Sequence, residues 1–264
     1  MDPSFSGSLT PTVSSRSRLD FSSVRGGSLE RHLSKSLRAK VGDAFRFVRP
    51  ENPDEVFHGV IQALSPLTVF LSPEHSAIRP LENRRRPFDL AVGLLKGEGF
   101  DDLIEPAVCL GVRILVPLLS ERSQIHWGPE HFDRKRVRFE SKIREASQLA
   151  GRPDRMELCP PRTLSSLLKN QSDYVIFFDE DPQALPIREV MAELSGEKPI
   201  LAVTGPEGGW SERERILVRE VEKMGGGCRA SLGPRILPGR RAPVVVASLL
   251  SVSGHAVSQN WSPE

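Results

Sequence analysis

Apolar residues along this chain follow two rhythms, and the change falls near residue 88. From Arg38 to Arg86 the apolar runs are short (Ala44–Val48, Val56–Leu64, Leu67–Leu71), and Pro50, Asn52-Pro53, Pro66 and Pro73 punctuate them. Short runs between turn residues predict a small β domain. Beyond Phe88, strand-like runs at Leu90–Leu95, Val112–Leu118, Tyr174–Phe178 and Ile200–Val203 alternate with stretches of helical periodicity. That alternation predicts a parallel sheet with crossover helices. The chain has 264 residues, more than one domain usually holds, so two domains are expected, with Arg84-Arg-Arg-Pro87 as a linker. Residues 1–28 are rich in Ser with Arg, Gly and Pro and lack apolar periodicity. They read as a disordered leader, 1–19 lying before the first domain; a targeting peptide is the alternative, against which Asp2, Asp20 and Glu30 interrupt the acid-poor pattern.

The last of those runs enters the most informative segment. Ile200-Leu-Ala-Val-Thr204 continues into Gly205-Pro-Glu-Gly-Gly209, and Ser211 and Glu214 have the spacing of a capping box, which marks a helix start. The helix carries Ile216, Leu217, Val221 and Met224 on an apolar stripe and stops at Gly225-Gly226. A short strand, Cys228–Leu232, then meets a second glycine loop, Gly233-Pro-Arg-Ile-Leu237. Parallel sheets bind ligands at the carboxyl ends of their strands, so two such loops can converge on one pocket. Phosphate-binding patterns do not fit: no Gly-Lys-Ser/Thr opens the helix, and the glycine spacing is not that of a dinucleotide fingerprint.

Composition alters this picture little. Lys and Arg number 36 against 34 Asp and Glu, a net charge of +2, so no polycation signal dominates. The basic residues cluster, however: Arg134, Lys135, Arg136, Arg138, Lys142 and Arg144 on one helical segment, Arg229, Arg235, Arg240 and Arg241 around the second loop, and Arg84–Arg86 at the linker. Such patches attract phosphate backbones, and equally form ordinary solvated faces. Cys109, Cys159 and Cys228 are far apart with no paired spacing, which suits a reducing, cytoplasmic setting without disulfides or a zinc site. His126 and His131 lack a third ligand and read as surface residues. No apolar run is long enough to span a membrane; Val244–Val252 reads as a buried helix or strand.

Thr204-Gly-Pro-Glu-Gly-Gly-Trp-Ser211 followed by Ser231-Leu-Gly-Pro-Arg-Ile-Leu237 resembles the RsmE-type 16S ribosomal RNA (uridine-N3) methyltransferases of the SPOUT class. The likeness extends to Arg31-His-Leu, Ser36-Leu-Arg38 and Val41-Gly-Asp43 in the N-terminal part, and to Leu90–Lys96, Leu110-Gly-Val112, Pro117, Ser120-Glu-Arg122, Glu145-Ala146 and Arg152 beyond it. The resemblance implies an α/β fold: a SPOUT-type parallel sheet with a C-terminal trefoil knot at 88–258, preceded by a small PUA-like β-barrel RNA-binding domain at 20–84. It implies S-adenosylmethionine as cofactor, held by Thr204, Gly205, Pro206, Glu207, Gly208, Gly209, Leu232, Gly233, Ile236 and Leu237. Ribosomal RNA or the small ribosomal subunit would be the partner, no metal is implied, and the enzyme would be a homodimer. Val244–Val252 would be a helix, with Pro243 in its first turn.

S-adenosylmethionine has no phosphate, so its site needs shape and backbone hydrogen bonds rather than lysines. Uracil must lose its N3 proton for methylation there, and a nearby positive group favours the anion. Arg235 and Arg152 match family motif positions and are the candidates for RNA contact or charge stabilisation; a structural ion pair is the other reading of each. The chain departs from the family where Arg-Thr-Glu-Thr-Ala is replaced by Pro238-Gly-Arg-Arg-Ala242, where Cys109 stands for Glu and Pro106 for Lys, and where Gln148-Leu149 replaces Glu-Gln. Two functions therefore stand: an active rRNA uridine-N3 methyltransferase, and a catalytically weakened SPOUT protein that binds RNA.

Overall fold

The computed structural model describes residues 17–20, 28–49, 52–73, 86–152, 154–169, 173–194 and 198–253. Residues 1–16 of the expected leader and Arg84 and Arg85 of the expected linker lie outside them. The chain divides into two units, Met1–Ala77 and Ile78–Glu264.

In the first unit, β1 (Ser17–Asp20), β2 (Ala44–Arg49), β3 (Asn52–Leu64) and β4 (Leu67–Pro73) form an antiparallel sheet in the order β1-β4-β3-β2. A helical turn, α1 (Ser28–Arg31), runs on into a wider π-type turn at His32–Ser36. Leu67, Val69 and Leu71 on β4 bury their side chains against Ile61, Leu33 and Ala39. The expected apolar runs are the strands found. Ser17–Leu19, placed at the end of the leader by composition, are instead strand paired with Val69–Leu71.

The second unit is built on a parallel sheet whose main strands are β5 (Phe88–Gly93), β6 (Ile114–Leu119), β9 (Tyr174–Phe178), β11 (Ile200–Thr204) and β12 (Gly227–Ser231). Two-residue strands complete it: β7 (Glu157–Leu158) and β8 (Arg162–Thr163) on β6, and β10 (Leu185–Pro186) on β12. The order is β10-β12-β9-β11-β5-β6-β7. β5 and β11 are buried along their whole length, the near-continuous apolar composition that a sheet covered on both faces needs.

Strand alternation sorts the side chains into two layers. Leu90, Ala202 and Ile176 lie side by side in register and face α2 (Gly99–Cys109), α3 (Pro129–Ala150) and α7 (Ala242–Ser253). Ala91, Val203 and Phe177 point the other way, towards α4 (Leu164–Leu168) and α6 (Glu212–Lys223). The short α5 (Ile187–Glu193) adds Val190 to the first layer. Helix α6 opens on the expected capping box and closes where Gly225, at φ +70°, donates its N–H to Glu222 O and Gly226 donates to Val221 O. Val244–Val252 lies within α7, with Pro243 in the first turn.

Candidate functional site

Because the sheet is parallel, the loops after β5, β6, β9, β11 and β12 all emerge at one edge. β11 is inserted between β9 and β5, so the chain order reverses at the carboxyl ends of β5 and β11, the place where open α/β sheets bind ligands. Glycines record how tightly the loops meet over it. A Cβ on Gly93, the last residue of β5, would lie 2.3 Å from Pro206 N and 2.8 Å from the Gly205 carbonyl carbon. One on Gly208 would lie 2.8 Å from Arg122 O in the loop after β6. One on Gly239 would lie 2.9 Å from Glu207 Cγ and 3.4 Å from Leu95 Cδ2. The two glycine loops therefore touch, through a contact just beyond the Leu232–Leu237 segment.

The loop Gly205–Gly209 is held from beneath. Gly209 takes a left-handed φ of +67° and donates its N–H to Pro206 O at 2.9 Å, closing a turn. Trp210 is buried, its Nε1 donates to Phe178 O at 2.9 Å, and its indole lies 4.2 Å from the Phe177 ring and against Gly205. Ser211 Oγ accepts from Glu214 N, Glu214 Oε2 accepts from Ser211 N, and Glu214 Oε1 accepts from Glu121 N at 3.2 Å. One buried carboxylate thus caps α6 and ties it to the loop after β6. At the end of β9, Asp179 is gripped through both oxygens by Arg215 of α6. Burial alone would raise that carboxyl, but the Arg215 hydrogen bonds and charge outweigh it and hold Asp179 below the ordinary range.

Three buried hydroxyls at this edge, Thr204 Oγ1, Ser120 Oγ and Ser123 Oγ, have no hydrogen-bond partner among the described residues. A buried polar group in that state favours any ligand that satisfies it.

The expected site residues divide. Thr204, Gly205, Pro206, Glu207, Gly208 and Gly209 form the first loop, with Glu207 Oε1 accepting a long bond from Lys96 N at 3.4 Å. Gly233 takes φ +120° and donates to Ser231 Oγ; Leu232 and Leu237 are half-buried, and the side chain of Ile236 is exposed. Arg235 is exposed and makes no ion pair among the described residues.

Arg152 lies apart from the loops. It is buried, binds Asp154 through Nε and Nη2 at 3.0 and 2.6 Å, and donates Nη1 to Val108 O at 3.1 Å. Helix α2 starts at the carboxyl edge and ends at the amino edge, and Val108 is in its last turn. Within this chain Arg152 therefore sits at the opposite edge from the loops, ion-paired with Asp154. Arg113 works similarly at that edge, bidentate on Asp89. Burial raises the Asp89 carboxyl despite that partner.

The basic face of α3 is also largely occupied. Lys135, Arg138 and Lys142 converge on Asp101 of α2, whose side chain is only 2% exposed, at 3.6, 3.1 and 3.7 Å. Arg136 pairs with Glu140, and Arg229 with Glu222 and Asp181. Sequence reasoning did not find Asp101, Glu121, Gly239 or Gly93 as structural partners of this region. For Gly93 a signal existed, since a glycine inside a strand run marks close backbone approach.

The described residues hold no cluster of His, Cys, Asp and Glu able to bind a metal, and no described helix is long and apolar enough to cross a membrane. The three cysteines are free.

A model of a family described as RNA methyltransferase domain matches residues 82–251. Ribosomal RNA small subunit methyltransferase E of Bacillus subtilis (strain 168) is 29% identical over 178 residues, covering 64% of this chain and 68% of that protein. The protein of the same name from Synechocystis sp. is 26% identical over 234 residues, covering 83% of this chain and 69% of its own. Among solved structures, a ribosomal RNA small subunit methyltransferase E from Neisseria gonorrhoeae bound to S-adenosyl methionine superposes with a TM-score of 0.69, covering 92% of this chain and 94% of that one. Their sequences are 20% identical, so this last likeness is one of fold.

Proposed function

We propose, from the premise that this chain belongs to the RNA methyltransferase domain family, that it methylates N3 of a uridine in small-subunit ribosomal RNA with S-adenosylmethionine. The observation that carries the reading is the closure of the two glycine loops on one another, Gly239 against Glu207, over the end of β5. The residues fit that cofactor. It has no phosphate, and the loop is a backbone cradle without a phosphate-binding lysine, kept open by Gly93, Gly205 and Gly208. The buried hydroxyl of Thr204 has no partner in the described chain and is available to a ligand. Backbone groups of Gly205–Gly209 and Leu232–Leu237 would hold the adenosyl moiety.

When bound, the cofactor supplies an electrophilic methyl group on a sulfonium. Arg235, exposed within the second loop, would favour the anion of the uracil imide by its charge and so ease the departure of the N3 proton. Trp210 and Glu214 fix the bases of the loops.

The same reading extends to the architecture: residues 20–84 as a PUA-like β-barrel that binds RNA, 88–258 as a SPOUT methyltransferase domain with a C-terminal trefoil knot, a homodimer and a cytoplasmic setting. Supporting the knot, residues 239–240 pack on Glu207 and near Gly99, between the loops after β5 and β11. A second reading, an RNA-binding protein with weakened catalysis, is favoured by one observation: Arg152 is committed to Asp154 and Val108 O.

Calorimetric titration with S-adenosylmethionine should give saturable heat, and RNA from cells carrying the gene should contain a 3-methyluridine that deletion removes. No heat overturns the cofactor assignment. Heat with no lost 3-methyluridine selects the second reading.

A further inference from the structure

Many cations of the second unit are ion-paired, while others, Lys96, Arg122, Arg134 and Arg144 among them, are exposed without a carboxylate partner among the described residues. Arg113, Arg152, Arg215 and Arg229 each grip a carboxylate, and four of the six cations at 134–144 of α3 pair with Asp101 or Glu140. Arg235, Arg240 and Arg241, in the loop between β12 and α7, are exposed and have no carboxylate partner among the described residues. Arg240 and Arg241 immediately precede α7, whose twelve-residue span begins at Ala242. The turn Pro238–Arg241, closed by Arg241 N donating to Pro238 O at 2.7 Å, fixes where they emerge. The stem of Arg240 lies along the start of α2, its Cγ 3.4 Å from where a Cβ on Gly99 would stand.

This placement is unfavourable in the free protein. The amino end of a helix carries partial positive charge, so cations there are disfavoured and carboxylates are preferred. Two adjacent guanidiniums add mutual repulsion. A polyanion removes both terms at once, and guanidinium is the side chain best matched to phosphate oxygens. The neighbouring Gly239 rests on Glu207, so an anion held here lies beside the cofactor cradle.

We propose that Arg240 and Arg241, beside the cradle, clamp the phosphates of the RNA strand next to the acceptor nucleotide. The clamp rests on the RNA methyltransferase reading above. It assigns the Pro238-Gly-Arg-Arg241 departure to grip on the substrate backbone at the mouth of the site.

The test is fluorescence anisotropy of a fluorescein-labelled stem-loop RNA with loop uridines, titrated with the full chain over a range of salt concentrations. In R240Q/R241Q the slope of log K against log salt should become shallower by about 1.4, at roughly 0.7 per phosphate contact with single-stranded RNA. R240K/R241K, which keeps the charge, should retain most of the slope, and R134Q/R144Q on α3 should leave it unchanged. Calorimetry with S-adenosylmethionine should give wild-type heat for all three variants. An unchanged slope in R240Q/R241Q overturns the clamp, as does an equal loss in R134Q/R144Q. Failure of the wild-type chain to bind S-adenosylmethionine overturns the functional reading separately, whatever the slopes.

Discussion

Replacing Gly93 by alanine tests the contact on which the cradle depends. The added Cβ would stand 2.3 Å from Pro206 N, 2.7 Å from Pro206 Cδ and 2.8 Å from the Gly205 carbonyl carbon, where ordinary contacts begin at 3.4 Å. Every opposing atom belongs to a backbone or a proline ring, so no flexible side chain can swing away. The loop must retreat by about 1 Å or β5 must bend. Overpacking of this kind costs about 1–3 kcal/mol. For a domain this size each kcal/mol lowers the melting temperature by roughly 2–4 °C, so a fall of roughly 2–12 °C is expected.

Gly227→Ala supplies the control. Its Cβ would meet Val175 O at 2.3 Å and Val175 Cβ at 2.9 Å, a clash of similar severity at the amino edge of the sheet. Both variants should lose comparable stability by differential scanning fluorimetry. Only Gly93→Ala should weaken S-adenosylmethionine binding in calorimetry, by about tenfold for every 1.4 kcal/mol by which the loop is displaced from its binding geometry. The reasoning fails if Gly93→Ala melts lower yet binds with the wild-type Kd, or if Gly227→Ala weakens binding equally.

Asp101→Asn should leave Lys135, Arg138 and Lys142 facing a neutral amide; because these cations are a third to half exposed, the loss should be about 1–3 kcal/mol by urea denaturation, with cofactor affinity unchanged. Arg152→Gln should lower stability by removing a buried pair and a cap on Val108 O, about 2–4 kcal/mol, while a cofactor Kd equal to wild type checks its distance from the site. Asp179 has a folded pKa below its unfolded value, so its stabilising pair with Arg215 is fully present above the unfolded value near pH 4 and is lost as pH falls through the folded one. Asp179→Asn should therefore flatten the acid side of the stability profile measured by denaturation from neutral pH downward.

The segments that could be read from the sequence were those in which one local signal sufficed. The span Ile200–Thr204 is a buried strand bounded by a glycine loop, and Ser211 with Glu214 announces the helix because a capping box needs only two residues at a fixed spacing. Gly225-Gly226 marks its end for the same local reason. Strand order was not readable, since alternation of strand and helix implies parallel pairing but carries no information that β11 enters between β9 and β5. The edge strand Ser17–Asp20 holds a single apolar residue and pairs through its backbone, so periodicity could not reveal it. The pairing of the α3 cations was not readable because their partner, Asp101, is distant in sequence and becomes a neighbour only when α3 packs on α2. Charge pattern reports how many cations a face carries, not how many are already spoken for.

The two-sided use of the Glu214 carboxylate has a consequence for how the molecule opens. Its Oε2 holds the amide of Ser211 and its Oε1 the amide of Glu121, so the first turn of α6 and the turn after β6 share one acceptor across a long stretch of chain. Neither amide can be released by fraying of its own segment while the carboxylate stays in place. In native-state hydrogen exchange the amides of Ser211 and Glu121 should therefore exchange as one cooperative unit, with a common opening free energy and a common response to denaturant. Glu214→Gln, which can accept at only one oxygen, should split that unit and let the turn at Glu121 open by itself.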